Sequence, residues 1–136
     1  MTDLRTYPPV AGYVLRLSAG YAAEARAGGW TLTPAAGARD VREPTEIDVD
    51  IVDGPEPGSG SLEKVGQRQL RRSVESSEGG SSGTAVTLRY VEGLGSQSIR
   101  YQQVRYSDGA SPRFELDELI RRAGLYVVKS EAAHSP

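Results

Sequence analysis

The stretch from Gln69 to Arg89 places two runs of alternating side chains on either side of a loop of small residues. Before the loop, one face carries Leu70, Arg72, Val74 and Ser76, and the other carries Arg71, Ser73, Glu75 and Ser77. After it, Thr84, Val86 and Leu88 alternate with Ala85, Thr87 and Arg89. Period-two alternation on both sides of a glycine-rich turn predicts a β-hairpin. We expect this hairpin to organise the rest of the chain.

The loop between these runs, Gly79-Gly80-Ser81-Ser82-Gly83, is longer than a two-residue hairpin turn requires. Glycine has no Cβ and tolerates positive φ, so such a loop can bring its backbone close to another surface. A contact loop is one interpretation. A hairpin tip that binds nothing is the other, since turns favour the same residues.

Length and composition predict a single domain over residues 1–136, with an extended lead-in at 1–11 and a frayed tail at 130–136. The net charge of −2 provides no basic field for nucleic acid. The sequence has no apolar run long enough to cross a membrane and no apolar segment typical of a signal peptide. A removed export segment and a cytoplasmic location both stay open, and the resemblance described below implies membrane attachment only through a lipid anchor on such a segment.

Short alternating segments predict further strands, and the clearest is Thr45–Val52, with Ile47, Val49 and Ile51 inward and Glu46, Asp48 and Asp50 outward. Residues 53–61 are expected to form a surface loop. The others are Gly12–Leu17, Tyr21–Ala27, Trp30–Thr33, Ser98–Tyr106 and Leu125–Lys129, with Trp30 in the core and a bulge or a twist in Ser98–Tyr106. For Tyr21–Ala27 a helical turn is the alternative to the strand. The predicted fold class is mainly β, with α+β as the alternative: twisted antiparallel sheets, long Gly/Ser loops and at most one or two short helices.

The segment 114–122 supports two structures. As a helix it has Ser111 as N-cap, Pro112 in the first turn and Gly124 as C-cap. As a strand it has Phe114 and Leu116 in alternation. Capping chemistry favours the helix, whereas an internal echo of 74–86 at 104–116 favours a second hairpin and hence a strand.

Catalytic chemistry finds little support in the sequence. The single histidine, His134, lies two residues from the end, and there is no cysteine, so a catalytic triad, a thiol nucleophile and a Cys/His zinc site are not expected. Nor does the Gly-rich loop carry the Lys-Ser/Thr of a nucleotide-binding loop. We expect a protein that is not an enzyme, with a carboxylate-pair hydrolase as the weakest alternative.

Gly79–Gly83, followed by Thr84–Arg89 and by Ile99-Arg100-Tyr101, resembles the immunity proteins that protect type VI secretion bacteria from a peptidoglycan-cleaving muramidase effector. The loop departs from the family pattern at Ser82, and the second loop keeps Gly109 and Ser111. The N-terminal half is similar to a PsbP-type sheet, through Gly12–Leu17, Trp30 and Thr45–Val52.

The resemblance implies a small periplasmic lipoprotein without a cofactor, which inhibits a secreted peptidoglycan hydrolase by inserting loops into its substrate groove. It also implies no metal of its own but help from Glu78, Asp108 and Glu115 to a calcium ion held by the partner. A non-catalytic envelope scaffold lipoprotein with a PsbP-like fold is the alternative. The predicted partner-binding residues are Glu75, Glu78, Gly79, Gly80, Ser81, Ser82, Gly83, Tyr106, Asp108, Gly109, Ser111 and Glu115, and further candidate anchors are Tyr90, Tyr101, Arg100 and Arg105.

Overall fold

The computed structural model describes residues 4–18, 20–34, 46–54, 60–78, 84–107 and 113–130, which form ten strands and one helix. The elements are β1 (Leu4–Thr6), β2 (Tyr13–Ser18), β3 (Tyr21–Arg26), β4 (Gly29–Pro34), β5 (Ile47–Asp53), β6 (Ser61–Val65), β7 (Arg68–Glu78), β8 (Thr84–Leu94), β9 (Gln97–Ser107), α1 (Glu115–Arg121) and β10 (Leu125–Lys129). The chain is therefore mainly β, as its alternation predicts.

The strands form two antiparallel sheets. The larger has seven strands in the order β3-β4-β5-β9-β8-β7-β6, and the smaller has three in the order β1-β2-β10. The predicted hairpin is β7 and β8, and it pairs Val74 with Leu88 and Ser76 with Val86. Of its two strands, β8 lies beside the central strand β9, and β7 lies between β8 and the edge strand β6, so the predicted hairpin is confirmed.

One hydrophobic core joins the two sheets and the helix. The larger sheet turns one face, here called the inner face, toward α1 and the smaller sheet. Trp30 and Val49 are fully buried on that face, and the Trp30 Nε1–H donates to the carbonyl oxygen of Pro8 at 3.2 Å. The predicted inward set on β5 is confirmed for Ile47 and Val49, whereas Ile51 is only partly buried.

The segment 114–122 is a helix, so the alternative strand and the second hairpin suggested by the internal echo are wrong. The predicted N-cap is also wrong, because Phe114 caps the helix without a side-chain hydrogen bond. At the other end, the Gly124 N–H donates to the Leu119 carbonyl at 2.7 Å and the Ala123 N–H to the Ile120 carbonyl at 3.2 Å. These two hydrogen bonds form a Schellman motif in which Arg122 is the C-cap and Ala123 is the left-handed residue. The prediction of Gly124 as C-cap is therefore wrong, although the helix ends close to it.

Four further predictions are refined by the backbone. β9 pairs with β8 in one unbroken register, so the predicted bulge in Ser98–Tyr106 is wrong. The lead-in at 1–11 contains β1, which pairs with β2, and the predicted loop at 53–61 overlaps the ends of β5 and β6. At the C-terminus, Ser130 is buried and donates its N–H to the Gly12 carbonyl at 2.8 Å, so any fraying begins after it.

Candidate functional site

Most charged side chains on the inner face are engaged by other groups of the fold. Arg68 donates to both carboxylate oxygens of Glu92, at 3.2 and 3.0 Å, and to the Leu125 carbonyl at 3.0 Å. The Tyr101 hydroxyl donates to Glu92 Oε1 at 2.8 Å, and burial together with the Glu92 charge raises the pKa of Tyr101 well above its usual value. This network ties β7, β8 and β9 to β10. Its two charges compensate each other, as buried charges require.

A second network holds α1 against the hairpin. Asp117 accepts hydrogen bonds from Arg72 at 3.0 and 2.9 Å and from the Tyr90 hydroxyl at 2.6 Å. Burial opposes ionisation of Asp117, but these hydrogen bonds and the charges of Arg72 and Arg121 outweigh it and lower the Asp117 pKa. Burial and the Asp117 contact raise the pKa of Tyr90. A carboxylate held in this way is a poor general base at neutral pH.

Glu115 is the first residue of α1, and its side chain contacts other residues of the same chain. Its carboxylate oxygens accept from Arg105 at 3.0 Å and from Gln103 Nε2 at 2.6 Å, while the Leu116 N–H donates to Gln103 Oε1 at 2.9 Å. These contacts dock the first turn of the helix on β9. A role for Glu115 at a partner's calcium ion stays a prediction, and it would require this ion pair to open.

The opposite face of the larger sheet, here called the outer face, carries the predicted carboxylate ladder. Arg26 bonds Asp50 at 2.7 Å and Asp48 at 3.4 Å, and Arg100 lies 3.5 Å from Asp50. The repulsion between like charges two residues apart is thus relieved by arginines of the same chain. Glu46, which precedes β5, is exposed as predicted.

Near the hairpin loop, the outer face exposes an apolar group that we call the hairpin-end patch. The register aligns Glu75 with Thr87 and Val104, and Ser77 with Ala85 and Tyr106. These six residues define the patch. Val104 is 38% exposed and Tyr106 is 59% exposed. An exposed tyrosine beside an exposed valine is typical of a binding surface, because such side chains anchor many interfaces.

The structure brings two of the predicted partner-binding residues together and separates others. Glu75 and Tyr106 share the hairpin-end patch, whereas Glu115 lies on the inner side. Glu78 is the last residue of β7. The predicted residues Gly79, Gly80, Ser81, Ser82, Gly83, Asp108, Gly109 and Ser111 lie outside the described residues.

The other predicted anchors do not form one surface. Tyr90 and Tyr101 are fully buried, so their prediction as partner anchors is wrong; their hydroxyls serve the two inner networks. Arg105 binds Glu115, and Arg100 lies on the outer face next to Asp50. Val104 was not among the predicted partner-binding residues. The sequence nevertheless indicates its position, because in a regular strand Ile99 and Tyr101 face one side while Val104 and Tyr106 face the other.

The described residues offer few candidates for other kinds of site. Within those ranges, no three His, Cys, Asp or Glu side chains are grouped to hold a metal ion. The helix of the described part is too short and too polar to span a membrane. A shallow depression of about 370 Å³ beside α1 is lined by Arg113, Phe114, Asp117, Glu118 and Arg121. Its Asp117 is already held by Arg72 and Tyr90.

Comparison with known proteins gives a fold and no family. No protein-family model and no curated protein matches this chain. A crystal structure of a protein from Bacteroides thetaiotaomicron VPI-5482, at 1.50 Å resolution, is similar with a TM-score of 0.61 and 15% sequence identity. The similarity covers 96% of this chain and 50% of that one, so this chain spans half the length of that neighbour. At this level of identity the two share the fold alone.

Proposed function

We propose that this protein is a non-catalytic binding protein, an immunity protein that inhibits a secreted peptidoglycan-degrading effector. Its Gly/Ser loops enter the substrate groove of the effector, and the adjoining sheet surface completes the contact. The compartment of this encounter is the periplasm. The resemblance of Gly79–Gly83 and its flanking strands to such immunity proteins supports the identity of the partner.

The observation that carries the binding function is the hairpin-end patch. Tyr106 and Val104 are exposed at the end of the sheet from which the loop 79–83 continues. By contrast, Tyr90 and Tyr101, which offer the same chemistry, are fully buried. An exposed aromatic group that the core does not need favours recognition of a partner.

The inner networks support a non-catalytic role. A general base needs an unoccupied lone pair and a pKa near neutrality. Asp117 and Glu92 instead accept hydrogen bonds from arginines and tyrosines at 3.2 Å or less. Those bonds stabilise the fold and leave these carboxylates engaged. A non-catalytic envelope scaffold is the second candidate, since the same exposed patch would serve an assembly.

The test requires a secreted peptidoglycan hydrolase whose gene neighbours the gene of this protein. That hydrolase is titrated with this protein, and its activity is measured as release of soluble fragments from purified peptidoglycan. We expect wild type to abolish hydrolysis at about one equivalent, as a groove-plugging inhibitor does. The sequence predicts that Gly80 and Gly83 approach the partner closely, where a Cβ would collide. The Gly80→Val/Gly83→Val variant should therefore melt like wild type but inhibit at least about tenfold less well, mainly through faster dissociation.

Two results would contradict this proposal. One is full inhibition by the double valine variant, and the other is a loss of inhibition that merely follows a loss of folding. The same assay tests whether the interaction depends on calcium. If Glu78 or Asp108 contacts a cation held by the partner, a chelator weakens the wild-type complex, and Glu78→Gln or Asp108→Asn removes that sensitivity.

A further inference from the structure

The outer face of the larger sheet divides its charge along the strands. At the level of the hairpin-end patch it carries Glu46 and Glu75, because Ile47 pairs with Gln103 and Glu75 with Thr87. Further from the loop come Asp50, Arg100, Val91 and Arg71, which the register aligns across four strands. Arg26 also lies there, on Asp50. Glu46 and Glu75 thus lie at the apolar end, while Arg26, Arg71 and Arg100 lie away from it together with Asp50.

The two acids at the patch, Glu46 and Glu75, differ from Asp48 and Asp50 in having no partner. Among the described residues, the side chains of Glu46 and Glu75 make no ion pair and no hydrogen bond, and both are exposed. Asp48 and Asp50, on the same face, are both bound by Arg26. Arg89, which lies opposite Ser73 and Gln102 in the register, donates to Gln102 at 2.9 Å. Unpaired carboxylates around an exposed apolar centre are complementary to a positively charged partner surface. Such charge complementarity speeds and orients association.

We propose that the hairpin-end patch, with Glu46, is the docking surface for a basic protein surface that has an apolar pocket for the Tyr106 ring. Tyr106 enters the pocket, Val104 packs beside it, and Glu46 and Glu75 lie against Arg or Lys side chains at its rim. This inference rests on the proposed function and deepens it, since it assigns a basic, pocketed rim to the groove of the hydrolase.

The experiment measures association and dissociation rates of the hydrolase with four variants. Tyr106→Ser removes the anchor and should weaken binding at least about tenfold, mainly through faster dissociation. Glu75→Lys should slow association about threefold or more and flatten its dependence on salt. The matched controls are Leu62→Ser, an exposed apolar residue on edge strand β6, and Glu118→Lys on α1. Both controls should bind like wild type.

A second arm separates this inference from the proposed function. ¹⁵N-labelled protein is titrated with a short synthetic peptide of Arg, Lys and Leu, and with a matched peptide of Glu and Leu. Only the basic peptide should shift the amide signals of the patch, and Tyr106→Ser should abolish the shifts.

The outcomes then separate clearly. If the hydrolase binds but Tyr106→Ser and Glu75→Lys bind like wild type, the docking surface is wrong while the proposed function stands. If the hydrolase does not bind but the basic peptide shifts the patch, the proposed function is wrong and the docking chemistry stands. If neither partner binds, both are overturned.

Discussion

Ala123 holds a left-handed backbone conformation at the end of α1, with φ at 54°. An L-residue pays roughly 1–2 kcal/mol for this conformation because its Cβ crowds the following carbonyl, and glycine avoids the clash. After allowing for the greater freedom of glycine in the unfolded chain, we predict that Ala123→Gly raises the free energy of unfolding by about 0.5 kcal/mol. Urea denaturation measures the change. As a control, Ala25→Gly in β3 should lower stability, and a decrease for Ala123→Gly would contradict the assignment.

Asp117 predicts a specific dependence of stability on pH. Its pKa lies below the ordinary value of 3.8, because the hydrogen bonds from Arg72 and Tyr90 outweigh burial. A carboxyl group whose pKa is lower in the folded protein than in the unfolded chain stabilises the fold at pH values above its unfolded pKa. This contribution is lost as the pH falls through the pKa of the folded protein. Asp117→Asn should therefore destabilise the protein at neutral pH, with the difference from wild type shrinking below about pH 4. Thermal melts across pH measure it.

The matched control for that prediction is Glu118→Gln. Glu118 is half exposed and pairs only loosely with Arg122, at 3.6 Å, so its loss should change stability little at any pH. A stability gap for Asp117→Asn that stays constant as the solution is acidified would show that Asp117 is not ionised in the folded state.

The Arg68–Glu92 pair joins β7 to β8 within the larger sheet, and Arg68 also donates to the Leu125 carbonyl of β10 in the smaller sheet. Loss of the pair tests how its two charges are coupled. Both side chains are largely buried, so removing one leaves an uncompensated charge. We predict that Glu92→Leu lowers the free energy of unfolding by about 3 kcal/mol, and that adding Arg68→Met restores most of the loss. Chemical denaturation of the two single variants and the double variant measures this. Additive losses in the double variant would contradict the coupling.

The strands that could be predicted are those in which burial in the core makes apolar and polar residues alternate. β5 alternates because Ile47 and Val49 face the core while Asp48 and Asp50 meet Arg26. β1 and β6 were missed because their residues are mostly exposed, so burial imposes no apolar alternation on them. The N-cap at Phe114 was missed because it uses no side-chain hydrogen bond, the signal that a sequence displays.

The candidate site was predictable only in part, for a related reason. Alternation tells which residues share a face but not which face is covered. Tyr101 and Tyr106 both lie in β9, yet one is buried in the core and the other is 59% exposed. Because Tyr101 and Tyr106 lie an odd number of residues apart, a bulge was predicted between them. The strand is instead regular, and Tyr106 therefore lies on the outer face.

For the molecule as a whole, the networks and the patch together predict binding without turnover. The isolated protein should hydrolyse neither peptidoglycan nor simple esters nor phosphate esters. The reason is that the inner carboxylates are held by arginines and tyrosines. Release of product from any of these substrates, abolished by a single Asp or Glu substitution, would overturn the binding function.

The central claim is that this protein neutralises a peptidoglycan-degrading effector, and protection of living cells tests it most directly. Bacteria that export the titrated hydrolase to their own periplasm are followed for lysis, with and without this protein directed to the same compartment. Tyr106→Ser serves as the weakened variant and Leu62→Ser as its control. The account predicts that wild type and Leu62→Ser prevent lysis while Tyr106→Ser protects poorly. Lysis that proceeds equally with wild type present and absent would contradict it.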